Sequence, residues 1–180
     1  MTEKLKKPRY WLALPVILLA YGLLKGGGQA PTLLVLRLAL LCGGYAASLT
    51  DLLERRVPNR LVLALAAAWL LILSPLALYD PDSAAAIALN GLIGLVMDGV
   101  VMLAVYLASR KGLGGGDVKL MCAAGLYLGY DGALSVLLYG SVLAALAALV
   151  LILAKKMTVK DAIPLAPFLY AGILLTEFIR

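Results

Sequence analysis

The sequence predicts an all-α integral membrane protein, a bundle of helices that crosses a lipid bilayer several times. Of its 180 residues, 63% are hydrophobic and 14% are charged, whereas a soluble domain is about 45–50% apolar. A water-soluble core could not bury this surplus, because small domains leave much of their surface exposed. Two further observations agree: the apolar residues form long uninterrupted runs, and the cations form short clusters between the runs.

Seven apolar runs are candidate membrane-spanning helices. A spanning helix needs roughly 20 mostly apolar residues, and five runs approach that length: 31–50, 61–79, 84–109, 132–154 and 162–179. Two shorter runs cover 10–24 and 118–130. The runs are continuous and rich in Leu and Ala, which favours helices over a closed barrel. We therefore divide the chain into a basic segment with an extra helix, residues 1–30, and a six-helix core, residues 31–180.

The cations predict how the helices are oriented. Lys and Arg concentrate in the cytoplasmic loops of membrane proteins, and an inside N-terminus puts every cation cluster in the inside loops 51–60, 110–117 and 155–161. The outside loops then contain Lys25, Asp80 with Asp82, and Asp131. We expect a multi-pass protein of the cytoplasmic membrane. The cations behind the net charge of +6 are accounted for by these cytoplasmic loops, so no nucleic-acid partner is predicted.

The first 30 residues also resemble a secretory signal peptide. They contain a basic stretch, a short apolar core and small residues up to Ala30. Pro31 directly after Ala30 is a poor context for cleavage, which favours a retained helix. Either outcome leaves the six-helix core unchanged.

The side chains available for chemistry are few. The chain has no histidine, which excludes Ser-His-Asp and Cys-His catalysis and histidine-bound zinc or haem. Cys42 and Cys122 both lie in apolar runs without a CxxC, so we interpret them as small buried hydrophobic residues. Any reaction must use carboxylates, lysines, hydroxyls or backbone groups. No metal or cofactor is expected.

Four acidic residues fall in or beside the apolar runs, where ionisable groups are costly and often functional. They are Asp51, Asp98, Asp117 and Glu177. Two full spans separate Asp51 from Asp117, so both are predicted at the cytoplasmic face. Small residues precede Asp51 at helical spacing (Gly44, Ala47, Ser48) and follow Asp117 (Ala124, Gly125). If these faces meet, the two carboxylates come together.

Two adjacent carboxylates have the chemistry of an aspartic protease. They share one proton, so the ionised group activates water while the protonated group polarises the scissile carbonyl. The glycines at 112 and 114–116 leave room for a peptide to approach Asp117. Simpler interpretations remain open: Asp117 as the N-cap of helix 118–130, and Asp51 as an ordinary loop residue.

Two motifs together resemble the type IV prepilin peptidase family of GxGD membrane aspartic proteases. Asp51-Leu-Leu-Glu-Arg-Arg-Val-Pro58-Asn59 is similar to the family's first-aspartate motif, and Gly114-Gly115-Gly116-Asp117-Val118-Lys119-Leu120 to its second. Ile163-Pro164-Leu165-Ala166-Pro167-Phe168 resembles its closing Pro-x-x-Pro-Phe helix.

The resemblance implies an endopeptidase that cleaves the leader of type IV prepilins, pseudopilins or preflagellins at the cytoplasmic membrane face, typically after a glycine. It assigns catalysis to Asp51 and Asp117, and shaping of the site to Gly114 and Gly116. Pro58, Asn59 and Lys119 are motif residues expected near the substrate. Larger members add a four-cysteine zinc module and methylate the new N-terminus. This chain has no CxxC, so it resembles the short Tad/Flp-type or archaeal form, and methyltransferase activity is doubtful.

Two other classes of protein fit part of the sequence. Presenilin and signal peptide peptidase also use a GxGD, but their first aspartate is expected in a Tyr-Asp pair, and Thr50 precedes Asp51 here. A non-enzymatic transporter or scaffold would use Arg37 and Asp98 as an intramembrane polar path. We expect instead that Arg37 and Asp98 pack as a polar pair, or that Arg37 extends to the membrane surface.

Overall fold

The computed structural model describes residues 10–109, 114–156, 158 and 163–179, and within them every regular element is a helix. Its six α-helices are α1 (Ala13–Lys25), α2 (Pro31–Glu54), α3 (Asn59–Tyr79), α4 (Pro81–Ala108), α5 (Gly115–Leu153) and α6 (Ala166–Ile179). Four described helices, α2 to α5, are long and apolar enough to cross a membrane. This confirms the predicted all-α, multi-pass membrane bundle. Several cations that were predicted at the cytoplasmic face lie outside the described residues, namely those of segment 1–9 and those at 110, 111 and 160. Gly112 lies outside them too.

Local sequence explains where the helices begin and end. Pro31 and Pro81 occupy the first positions of α2 and α4, where a missing N–H costs no helical hydrogen bond. Asp80 caps α4 by accepting a hydrogen bond from the Ser83 N–H at 3.1 Å. The hydrogen bonds from the Ser83 side chain and backbone hold the pKa of Asp80 below its usual value. The turn between α3 and α4 is therefore short and closed.

The predicted runs 118–130 and 132–154 are not separated by a loop. They belong to α5, and its helical geometry is interrupted at Gly129, which has φ 69° and ψ −177°. Only glycine adopts such a conformation readily. The Tyr130 N–H, which the break removes from the helical ladder, donates to Asn90 Oδ1 at 3.0 Å. The two predicted runs are therefore two helical segments of α5 that meet at Gly129.

The chain reverses direction at Gly129. Before it, α5 runs parallel to α3, because Lys119 bonds to Asn59 and the Tyr127 hydroxyl bonds to the Leu65 carbonyl. After it, α5 runs antiparallel to α6: a Cβ on Gly140 would lie 3.1 Å from Leu169 Cα, and one on Gly172 would lie 2.7 Å from the Val136 carbonyl oxygen. Both α3 and α6 run antiparallel to α2: Gly43 packs on Leu65 of α3, while Arg37 and Asp51 contact Glu177 and Ala166 of α6. The helices α3 and α6 therefore point in the same direction, and the two halves of α5 point in opposite directions. Residues 115–128 and the part of α5 after Gly129 thus form a helical hairpin with its turn at Gly129.

The glycines of the small-residue faces near the two aspartates pack against α6 and α4. A Cβ on Gly44 would lie 2.8 Å from the Tyr170 ring of α6. Gly125 makes backbone-to-backbone contact with Gly94 of α4. At Gly44 and Gly125, therefore, the two faces do not meet each other, because α6 and α4 are the neighbours there. Close glycine crossings of this kind are typical of membrane helices.

A buried polar network lies about 20 Å from Asp51, since 14 helical residues separate positions 37 and 51. Arg37 Nη1 forms an ion pair with Glu177 Oε1 at 2.9 Å. The Tyr21 hydroxyl donates to Glu177 Oε2 at 2.7 Å and exchanges weaker hydrogen bonds with Gln29. The predicted pairing of Arg37 with Asp98 is wrong, because Glu177 supplies the counter-charge. Asp98 is fully buried, and its carboxylate oxygens have no hydrogen-bond partner among the described residues.

The ion pair gives a stability prediction. Glu177→Leu leaves the Arg37 charge buried without its partner, so we expect it to cost about 3–5 kcal/mol of unfolding free energy. The double substitution Arg37→Met with Glu177→Leu removes both charges and should recover most of that loss. Thermal unfolding in detergent measures both variants. A double variant as unstable as Glu177→Leu alone, or less stable, would contradict this account.

Candidate active site

Asp51 lies in the last turn of α2, with only 6% of its surface exposed. Its Oδ2 accepts a hydrogen bond from the Ala166 N–H at 3.0 Å. Ala166 is the first residue of α6, so its N–H has no acceptor within that helix. The positive end of the α6 dipole also favours a negative charge at this position. The segment with Pro164 and Pro167 therefore starts a helix whose N-terminus contacts Asp51.

The chain leaves α2 immediately after Asp51 through a tight turn. Arg55 adopts a left-handed conformation, with φ 51° and ψ 39°, and its N–H donates to the Asp51 carbonyl at 2.9 Å. This C-cap ends the helix within one turn of the carboxylate. The Arg55 guanidinium lies near enough to interact electrostatically with the Asp51 side chain. Asp51 is thus held by α6 on one side and flanked by a cation on another.

Asp117 lies in the first turn of α5, and 7% of its surface is exposed. Gly114 is the N-cap residue, and the Asp117 N–H donates to the Gly114 carbonyl at 3.0 Å. The alternative that Asp117 caps a helix beginning at 118 is therefore wrong, because the helix begins at Gly115. Asp117 Oδ1 is buried and has no hydrogen-bond partner among the described residues. Its carboxyl group is within electrostatic range of Asp51.

The glycines before Asp117 provide space. A Cβ on Gly114 would lie 2.8 Å from Asp117 Oδ2, so an alanine there would displace the carboxylate. A Cβ on Gly116 would lie 3.0 Å from Val57 Cβ and 3.1 Å from the Val57 carbonyl oxygen. Gly115 has nothing within 4 Å of that position. None of the three has a positive φ, so each tight position reflects close approach by a neighbour.

The two motif segments interlock at this end of the bundle. Val57 packs on Gly116, and Lys119 Nζ donates to Asn59 Oδ1 at 3.0 Å across the α3–α5 contact. Pro58, in an extended conformation, is the N-cap residue of α3. These contacts fix the segment after Asp51 against the segment that contains Asp117. They bring the carboxylates together, a role that the sequence had suggested for the small-residue faces.

One cavity of about 800 Å³ joins these parts. Its walls include six of the predicted site residues: Asp51, Asp117, Pro58, Asn59, Gly114 and Gly116. Lys119 lies outside the lining and is engaged with Asn59. Asp98 and Glu177 do not line the cavity either. Within the described ranges, no group of three acidic or cysteine side chains is placed to hold a metal ion.

Trp11 and the backbone of Ala166 are among the site residues that sequence reasoning missed. Trp11 lines the cavity, and its position between a basic stretch and an apolar run is the usual signal of an aromatic residue at a membrane interface. Ala166 contributes only its backbone, so its side chain carries no signal. The neighbouring prolines were the available hint, since they mark where a helix starts.

Comparison with known proteins agrees with this geometry. Residues 38–150, more than half of the chain, match the model of a family described as the type IV leader peptidase family. The matched range contains both aspartates and both interlocked motif segments. Comparisons with curated proteins and with solved structures gave no match. On the family match, together with a site assembled from the matched segments, the chain belongs to the type IV leader peptidase family.

Proposed function

We propose that this membrane peptidase is an aspartic endopeptidase that removes the leader of type IV prepilin-like proteins at the cytoplasmic face of the membrane. One observation carries the proposal. Asp51 and Asp117, 66 positions apart (117 minus 51), line a single cavity at one end of a membrane bundle. Two carboxylates that face one cavity are the groups that aspartic-protease chemistry requires.

The surroundings of the two acids suggest different roles for them. Asp51 accepts the Ala166 N–H and has the Arg55 guanidinium nearby, and both interactions stabilise an ionised carboxylate. Asp117 Oδ1 is buried without a partner in the described part of the chain, which suits a group that keeps the shared proton. Asp51 therefore takes the proton from the attacking water, while Asp117 donates a hydrogen bond to the scissile carbonyl. After attack, the proton passes to the leaving amine.

The cavity walls fit a substrate that leaves the membrane at this point. Glu54, Arg55, Arg56 and Arg60 form a charged wall, while Trp11, Ala46 and Leu61 add apolar surface. A prepilin-like protein has a polar leader followed by an apolar helix, and its cleavage site lies between them. The charged wall would face the leader, and the bilayer would hold the helix. The same arginines also suit contact with anionic lipid headgroups.

The aspartates give the first test. We expect Asp51→Asn and Asp117→Asn each to lower leader cleavage by at least about 100-fold, because each removes one half of the acid–base pair. The double variant should be no worse than either single variant, since members of a catalytic unit are not additive. Cleavage of a prepilin substrate by purified protein measures all three.

Asp98→Asn is the matched control for that experiment. It changes a buried carboxylate in the same way, but on α4 and away from the cavity, so we expect cleavage to continue at near the wild-type rate. Gel filtration of each variant in detergent checks that it folds. Substantial cleavage by Asp51→Asn or Asp117→Asn would refute the aspartic pair.

The glycines give a second test with an internal control. Gly116→Val places a branched side chain against Val57 and should lower turnover at least about tenfold by separating the two motif segments. Gly22→Val makes the same chemical change on α1, where a Cβ meets nothing within 4 Å and which lies outside the cavity lining, so it should stay close to wild type. Equal activity of the two variants would mean that the Val57 contact is unimportant.

The membrane orientation gives a third test. In a background without Cys42 and Cys122, cysteines replace Arg56 beside the cavity and Ser83 at the other end of α3 and α4, both of which are exposed. A membrane-impermeant thiol reagent added to intact cells should label position 83 and spare position 56. After permeabilisation, both should react. Labelling of position 56 in intact cells would place the cavity outside, beyond reach of an unprocessed leader.

A further inference from the structure

The N-terminal segment outside the family match contributes to the active-site cavity. The match begins at residue 38, yet Trp11 lines the same cavity as Asp51 and Asp117. The hydroxyl group of Tyr45, on α2, donates to the backbone carbonyl of Tyr10. This bond fixes the chain one residue before Trp11. A segment outside the matched range therefore forms part of the cavity wall.

Aromatic contacts hold Trp11 in position relative to the acids. The Trp11 and Tyr45 ring centroids are 6.0 Å apart with the rings tilted by 57°. Tyr45 in turn packs edge-on against Tyr170, with centroids 5.8 Å apart. Tyr170 lies one turn of α6 after Ala166, whose N–H binds Asp51. Aromatic pairs at these distances are attractive, so the indole is coupled through α2 and α6 to the element that positions Asp51.

We propose that Trp11 is a substrate-binding residue that contacts the apolar residues next to the scissile peptide bond. This inference rests on the proposed leader-peptidase function. Apart from the two aspartates, the charged residues of the cavity come from the 54–60 segment. Trp11 is a half-buried aromatic side chain that lines the same space. A substrate that changes from polar to apolar at its cleavage site needs both kinds of wall. Trp11 supplies the aromatic part of the apolar one, beside Ala46 and Leu61, so it helps to set which residues are accepted beside the cut.

Fluorescence gives a direct test, because the chain has two tryptophans. Trp69 is buried in the bundle, and its indole N–H has no hydrogen-bond partner within the described residues, so Trp69→Phe costs no hydrogen bond there. In the Trp69→Phe, Asp117→Asn background, a peptide that the wild-type protein cleaves should shift the Trp11 emission to shorter wavelength in a saturable manner. A peptide that binds without changing this emission would overturn the inference.

Kinetics provide the second arm. Trp11→Ala should raise KM for the peptide about tenfold with kcat within about twofold, because the lost contact contributes to binding and not to proton transfer. Trp11→Phe keeps an aromatic surface and should recover most of the affinity. Leu12→Ala alters the neighbouring residue, which is 68% exposed and does not line the cavity, and it should leave KM unchanged.

The outcomes separate the two proposals. If the KM of Trp11→Ala equals that of the wild-type protein, as is expected for Leu12→Ala, then Trp11 is only a membrane-interface anchor. In that case the inference fails while the peptidase proposal stands. If the wild-type protein cleaves no leader peptide, the proposed function fails before Trp11 is tested. A raised KM for Trp11→Ala with Leu12→Ala unchanged supports the inference.

Discussion

The hydrogen bond from the Ala166 N–H to Asp51 connects α2 with α6, the last helix of the bundle. It pairs the last turn of α2 with the first turn of α6, 115 positions later in the chain (166 minus 51). A buried carboxylate needs such a donor, because an unsatisfied charge in an apolar environment is costly. The N-terminus of α6 needs an acceptor for the same reason. Each group therefore satisfies the other, and the position of α6 fixes the orientation of one proposed catalytic acid.

The bilayer imposes the same requirement on the rest of the chain. Backbone groups that leave helical geometry within the membrane must find partners inside the protein. At Gly129 the Asn90 side chain meets this requirement by accepting the Tyr130 N–H. A Cβ on Gly129 would lie 2.6 Å from Asn90 Oδ1, so a larger residue would push away the group that satisfies the break. The reversal keeps the segment after Asp117 short and lets the chain turn back toward α6 without a loop.

Much of this arrangement could be predicted from sequence, for specific physical reasons. The apolar surplus required a membrane bundle, and even numbers of crossings required Asp51 and Asp117 to share one end. Pair-specific contacts were harder to predict. Arg37 had two buried acids available, Asp98 and Glu177, and helical spacing alone does not say which one faces it. The packing of Gly44 on Tyr170 was likewise hidden, because a small-residue face indicates close approach without identifying the neighbour. Gly116 was expected to leave room for a peptide, and nothing in the sequence indicated that a Cβ there would also meet Val57.

The role of α1 follows from contacts at both of its ends. Near its C-terminal end, Tyr21 is fully buried and bonds to Glu177, and its ring packs edge-on against Phe178. Just before its N-terminal end, Tyr10 and Trp11 are held by Tyr45. Ten positions separate Trp11 from Tyr21 (21 minus 11), roughly 15 Å along a helix. A helix held at two such points cannot slide along the bundle without breaking a buried hydrogen bond to a charged group, which is worth about 1.5–3 kcal/mol. The Arg37–Glu177–Tyr21 network therefore sets the register of α1, and through α1 it sets where the Trp11 indole meets the cavity.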